Sequence, residues 1–305
     1  MMVALPPTIR GVLAALVVSL SLMVLFTGFL PGAVAKLLVP HAGFRRACVA
    51  YMLWFCRAWV RTITWTTDYI SCQPVMVDID IPPDTDGRYL LIGNHQSWAD
   101  IPVLIRALDR TLPFPRWFIK RQMLWVPFIG FATWALDFPY MRRYTREQIE
   151  RNPALAGRDM DTTRRACEIY RHQSVTVVNY AEGTRSTPAK RAARQSPYRT
   201  MLRPKAGGTA FMLNAMGDVL DGVVELMVTY SGTDHPSAWD YACGRIPQVH
   251  AVLHRLDIPE ALRRGDYEND PDYAERFRAW LNELWAARDA EITQRMADAD
   301  KRETN

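Results

Sequence analysis

The chain carries its longest apolar run near its beginning. Gly11 to Leu30 contains no charge, and twenty residues at 1.5 Å rise make about 30 Å of helix, the thickness of a bilayer's hydrocarbon core. The pattern predicts a membrane segment. Ala33-Val34-Ala35 resembles a signal-peptide cleavage site, but the apolar run exceeds a typical signal-peptide core, so the segment is read as retained. A second apolar stretch, Ala47 to Trp65, sets Arg57 and Arg61 on one helical face among Tyr51, Trp54, Phe55 and Trp59, a composition suited to a bilayer surface. Gly28, Pro31 and Gly32 would permit a bend between the two helices. A hairpin dipping into one leaflet and a true span followed by a surface helix both fit.

From Val75 the texture changes. Short β-rich runs at Val75–Ile79, Tyr89–Ile92, Trp117–Ile119, Val175–Tyr180, Val223–Tyr230 and Val249–Leu253 alternate with charged or helix-prone stretches, which predicts α/β organisation. Arg146 to Arg171 is polar and helix-prone, with a break expected at Asn152-Pro153. Between Pro271 and Met296, Tyr273, Phe277, Trp280, Leu281, Leu284 and Ile292 form one helical stripe, expected to pack on the domain. The expected division is 1–70 for the membrane helices, 71–258 for the main domain and 259–305 for the carboxyl-terminal helix.

Composition narrows the partners. The 305 residues can hold one large domain plus an appendage, and Lys and Arg exceed Asp and Glu by 37 to 32, a mild basic excess that suits an anionic surface. No zinc-finger spacing or RNP-type aromatic motif suggests nucleic acid as a partner. Five cysteines without a C-x-x-C pair suggest neither a disulfide framework nor a zinc site, and fit a reducing, cytosol-facing compartment. Lys36, Arg45, Arg46, Arg57 and Arg61 follow the first apolar run and only Arg10 precedes it, so the positive-inside rule places the rest of the chain in the cytosol.

The candidate chemistry begins in Arg88–Asp100. An apolar run ends at Gly93 and delivers Asn94, His95 and Asp100. A histidine and an aspartate five positions apart cannot touch on a continuous helix or strand. They can meet if the strand ends at Gly93 and a helix opens at Ser97 or Asp100. Asp100 would then fix the imidazole tautomer, leaving the other nitrogen free to take a proton from a hydroxyl. Taken alone, these are also ordinary turn and cap residues. A second constellation, Glu182-Gly183-Thr184-Arg185, sits at the carboxyl end of a strand, where open α/β sheets bind ligands. Gly183 permits close backbone approach and Arg185 offers a fork for phosphate, though a surface turn would explain the tetrapeptide equally well. From Arg185 the chain runs through Lys190, Arg191, Arg194, Arg199, Arg203 and Lys205 with no acidic residue before Asp218. Lys120-Arg121 and Asp137 to Arg143 supply further cations.

Asn94-His95-Gln96-Ser97-Trp98-Ala99-Asp100, followed some eighty residues later by Glu182-Gly183-Thr184-Arg185, resembles the paired signature of the glycerolipid acyltransferases, the lysophosphatidic acid acyltransferase family. The resemblance covers Val75 to Tyr230. Arg142-Arg143 and Pro204-Lys205-Ala206-Gly207-Gly208 look closest to the lysocardiolipin acyltransferase-like branch and its bacterial inner-membrane relatives. The resemblance implies a central mixed β-sheet flanked by helices. It also implies His95 as general base, Asp100 as its orienting partner, and a substrate-binding set of Asn94, Arg142, Arg143, Glu182, Gly183, Thr184, Arg185 and Lys205. Two departures stand out: the middle stretch Asp137 to Arg143 is longer than usual, and Val228-Thr229-Tyr230 replaces a proline-centred motif. Both bear on acyl and headgroup preference and are expected to leave the proton-transfer pair untouched.

The activity implied is transfer of an acyl group from an acyl-CoA or acyl carrier protein thioester to the 2-hydroxyl of a lysophospholipid, most simply lysophosphatidic acid. A thioester is already activated, so no metal or redox cofactor is invoked. Lysophosphatidylglycerol, lysophosphatidylethanolamine and monolyso-cardiolipin are alternative acceptors. A membrane-surface scaffold that holds lipid without turning it over is the non-enzymatic alternative, and no G-x-S-x-G elbow points to a serine hydrolase.

Overall fold

The computed structural model describes residues 2–141, 151–152, 158–267 and 269–304. Arg142, Arg143 and Pro153, singled out above, lie outside the described residues.

Two long helices come first, α1 (Pro7–Leu38) and α2 (Ala42–Thr66). They form an antiparallel pair: the Tyr51 hydroxyl donates to the Gly28 carbonyl at 2.9 Å and the Trp59 indole N–H to the Val18 carbonyl at 3.2 Å. The reversal that Gly28, Pro31 and Gly32 would permit falls elsewhere. α1 runs through Pro31, and the turn falls at 39–41, where His41 caps α2 by accepting from the Phe44 N–H. Gly28 serves helix packing instead, since a Cβ there would lie 2.3 Å from the Phe55 ring. Both ends of α1 rest on the rest of the chain. Near one end Gly11 lies against Cys243 and Trp239, and Arg10 donates to the Ser71 carbonyl. At the other, Lys36 donates to the Ala135 carbonyl at 2.6 Å and to Asp137 at 2.5 Å.

The domain is built on six strands: β1 (Val75–Asp80), β2 (Arg88–Gly93), β3 (Pro115–Trp117), β6 (Val175–Tyr180), β7 (Gly222–Tyr230) and β8 (Val249–Arg255), in the order β1-β8-β7-β2-β6-β3. All neighbours are parallel except β7 and β8, so the sheet is mixed. The run expected at Trp117–Ile119 divides between β3 and a separate strand β4 (Ile119–Lys120), which pairs with an unanticipated β5 (Tyr140–Met141). β2 and β6 occupy central positions because Leu90, Leu91, Ile92, Val175, Val177 and Val178 are apolar on both faces.

On one face α3 (Asp100–Leu108) buries Val103, Leu104, Ala107 and Leu108 against the sheet, with Val60 of α2 joining them. α4 (Ile129–Ala135) packs with α1 through Phe26, Phe29 and Phe131. On the other face lie α5 (Arg158–Tyr170), α7 (Ala206–Met216) and the long final helix α10 (Pro271–Thr304), with the short helices α6 (Pro188–Ala193), α8 (Ala238–Cys243) and α9 (Glu260–Arg263) in connections. The expected stripe on α10 packs into this core through Tyr273, Phe277, Leu281 and Ile292, with Trp280 and Leu284 at its margin, and Trp285, which the stripe did not include, is fully buried beside them. Asp289 of α10 accepts from the Arg199 N–H, the Thr200 N–H and the Thr200 hydroxyl at 2.7, 2.8 and 2.6 Å. That clamp fixes the loop before α7.

Candidate active site

At the end of β2, pairing with β7 stops at Gly93–Leu226, and the Asn94 side chain takes over. Its amide donates to the Val228 carbonyl and accepts from the Val228 N–H, both at 2.9 Å. The backbone can therefore turn away while the sheet's hydrogen bonding continues. The next residue is held on both sides by the second motif: the His95 N–H donates to Glu182 Oε1 at 3.0 Å, and its carbonyl accepts from the Ser186 N–H at 2.7 Å.

The chain then folds back into α3 and brings Asp100 under the imidazole. His95 Nδ1 lies 2.7 Å from Asp100 Oδ2, which also accepts from the Gln96 and Ser97 N–H groups at 2.7 and 2.9 Å. Oδ1 accepts from the Tyr230 hydroxyl at 2.5 Å. Since the carboxylate faces donors on every side, Nδ1 carries its hydrogen and Nε2 presents the lone pair. The ring stacks on Tyr180 at 4.2 Å and 12°, and its side chain stays 17% exposed against 1% for Asp100. The geometry thus leaves one nitrogen fixed and the other accessible. Burial, with the Asp100 charge adding to it, pushes the phenols of Tyr180 and Tyr230 well above their ordinary range, so both remain neutral donors.

Tyr230 occupies the departure from the proline-centred motif, which therefore does reach the proton-transfer pair. Its O–H competes with the imidazolium for Asp100. Tyr230→Phe should lower turnover only a few-fold, because Asp100 keeps the imidazole and two backbone N–H groups as partners when the phenol's hydrogen bond is lost. Single-turnover rates of the variant check this; an unchanged rate would leave Tyr230 a packing residue.

Two residues expected to bind substrate are committed to the protein's own backbone. The polar atoms of buried Asn94 are spent on Val228. Glu182 is fully buried, its oxygens taken by the N–H groups of His95 and Leu202 at 3.0 and 2.8 Å. Both hold backbone around His95 in place. Burial pushes the Glu182 carboxyl up to about 8, more than those two N–H groups lower it. Between about 4.5 and 8 the folded state therefore holds a proton that the unfolded chain has lost, and stability falls as pH rises through that window. Glu182→Gln should flatten the slope by an amount on the order of 2 to 4 kcal/mol across it. Unfolding of both proteins at mildly acidic and mildly alkaline pH measures the difference.

The other expected residues form the turn beside His95. Gly183 takes φ +68, a left-handed conformation, and a Cβ there would meet the Lys205 side chain at 3.2 Å. Arg185 lies over the Trp98 ring at 4.7 Å. Lys190, present in the basic run but not marked out by it, reaches back to the Thr184 hydroxyl at 2.8 Å and the Arg185 carbonyl at 3.0 Å. Its ammonium is held below the usual range by partial burial and by the charges of Arg185, Arg194 and Lys120. Lys120 comes from β4, so cations from distant parts of the sequence converge on the His95 turn and present a site for an anion. A separate cleft of about 200 Å³ lies between α2, the end of α3 and the start of β3, and none of these residues lines it.

An imidazole backed by a carboxylate beside gathered cations is an arrangement suited to group transfer. Comparison with known proteins makes the class specific. The Acyltransferase family model matches residues 76–230, just over half of the chain, and the chain belongs to that family. It is an acyltransferase. Among solved structures it resembles the 1-acyl-sn-glycerophosphate (LPA) acyltransferase PlsC from Thermotoga maritima, with a TM-score of 0.54 and 18% identity over 94% of this chain and 98% of that one. At that identity the likeness is one of fold. No curated protein matches the chain.

Proposed function

We propose that the protein transfers an acyl group from an acyl-CoA or acyl carrier protein thioester to the 2-hydroxyl of a lysophospholipid, most simply converting lysophosphatidic acid to phosphatidic acid. The observation that carries this reading is the accessible Nε2 of an imidazole fixed by Asp100 beside the cations of Lys120, Arg185 and Lys190. Nε2 takes the hydroxyl proton as that oxygen attacks the thioester carbonyl. The C–S bond then breaks, and the departing sulfur receives the proton from the imidazolium, so histidine is restored without an acyl-enzyme. Asp100 stabilises the transient positive charge. Arg185 and Lys190 grip the acceptor's phosphate, and Lys205 and the backbone of Gly183 and Thr184 complete the turn. Arg142 and Arg143, which follow β5 in sequence, belong to the same acceptor set.

Membrane attachment is part of the proposal. α1 is, among the described residues, the helix long and apolar enough to cross a bilayer, and its 32 residues would measure about 48 Å. Both ends nevertheless touch parts of the chain joined to the same domain, which favours a hairpin lying in one leaflet over a straight span. The cations behind α1 favour the cytosolic leaflet. This placement presents lysolipid and thioester to one site from membrane and water respectively.

Mass spectrometry of the products formed by the purified full chain from mixed acyl thioesters and mixed lysolipids tests the assignment. Phosphatidic acid as the dominant product supports it. Preferential acylation of lysophosphatidylglycerol, lysophosphatidylethanolamine or monolyso-cardiolipin would reassign the acceptor, and inertness toward every lysolipid would favour the lipid-holding scaffold.

A further inference from the structure

Beside the hairpin lies a second surface that water alone does not explain. The turn Arg121–Trp125 and helix α4 leave Trp125 88% exposed, with Ile129 and Trp134 exposed near it. These side chains adjoin the hairpin. Phe26 of α1 meets Phe128 and Phe131 at 5.0 and 5.6 Å, and Phe131 meets Trp134 at 5.6 Å. The surface therefore continues toward Met23, Val24 and Leu30, exposed on α1. Phe128 holds φ +62, a conformation a bulky residue adopts only where its packing over-determines it. Lys120 and Arg121, both exposed, stand at the start of the element.

We propose that residues 121–135 form a second membrane contact, seated at the headgroup level of a leaflet containing anionic phospholipid. The proposal rests on the reading of α1 and α2 as membrane-embedded. Tryptophan rings favour that depth and neighbouring cations favour anionic lipid, whereas a protein partner would have no evident use for an apolar face continuous with a bilayer-facing helix. One contact would let the domain tilt about the hairpin; two define a plane. The second leads directly into β5, which pairs with β4 and its Lys120, so it sets the height of the cationic cluster relative to the phosphates.

The test uses the full chain in nanodiscs of phosphatidylcholine and phosphatidylglycerol containing a phospholipid with a diazirine near its acyl carbonyl. Photolabelling followed by peptide mass spectrometry should place lipid adducts on peptides bearing Trp125 and Trp134 as well as on α1. Adducts confined to α1 and α2 would overturn the second contact alone; adducts on neither would overturn the membrane reading with it. The double variant Trp125→Ala/Trp134→Ala should lower transfer to a bilayer-presented acceptor about tenfold while leaving transfer to a monomeric short-chain acceptor unchanged. Unchanged bilayer activity, or equal loss on both acceptors, counts against it. If the unaltered protein acylates neither acceptor, the acyltransfer reading fails while the labelling still decides the contact.

Discussion

His95→Ala lowers the turnover number of acyl transfer by about 10² to 10⁴ while leaving the protein folded and bound to membranes. The size follows from the removal of the group proposed to accept the hydroxyl proton, with no alternative imidazole hydrogen-bonded to Asp100 among the described residues. Preservation of the fold follows from what remains. Asp100 keeps the Gln96 and Ser97 N–H groups and the Tyr230 hydroxyl as donors, and the backbone at position 95 keeps Glu182 and Ser186 as partners. Thiol release from an acyl thioester in the presence of lysolipid gives the rate, and vesicle flotation gives the binding. A loss smaller than tenfold would exclude His95 as the principal base.

Asp100→Asn has the second largest expected effect, a fall of about 10² to 10³ in turnover with modest loss of stability. An asparagine can direct its oxygen to the His95 Nδ1–H and the two backbone N–H groups if its amide faces Tyr230, whose hydroxyl can rotate and accept. The geometry is then retained and the charge that stabilises the imidazolium is lost. Asp100→Ala should behave differently, because it strands the buried Gln96 and Ser97 N–H groups, each costing about 1 to 3 kcal/mol. Comparing unfolding midpoints and rates for both variants separates charge from scaffolding. Equal rates for Asp100→Asn and the unaltered protein would show that the carboxylate does not support the base.

The sheet was legible in the sequence because its strands are short apolar runs bounded by turn residues, and β2, β6, β7 and β8 lie within a residue or two of the expected places. The meeting of His95 and Asp100 was legible because it depends on local turn geometry. Long-range contacts were not. Tyr230 reaches Asp100 across 130 positions, and nothing in Val228-Thr229-Tyr230 announces that the phenol points at a carboxylate. Only the resemblance assigns Glu182 to substrate, and its burial against the N–H groups of His95 and Leu202 depends on contacts that no local pattern displays. The glycines in α1 suggested a bend, but glycine also permits close helix packing, and Phe55 and Tyr51 exploit that second property. The single strand expected around residue 118 failed because local β-propensity does not tell which sheet a residue joins.

The clamp made by Asp289 extends further than the loop it holds. Thr200 gives its N–H to Asp289 and accepts the Ser186 hydroxyl at its carbonyl, and Ser186 in turn donates its N–H to the His95 carbonyl. Three links thus join the last helix to His95, so trimming the protein from its far end ought to mimic a lesion at that residue. A chain ending before residue 289 should retain its grip on lipid yet turn over more slowly, as vesicle flotation and thiol release would measure.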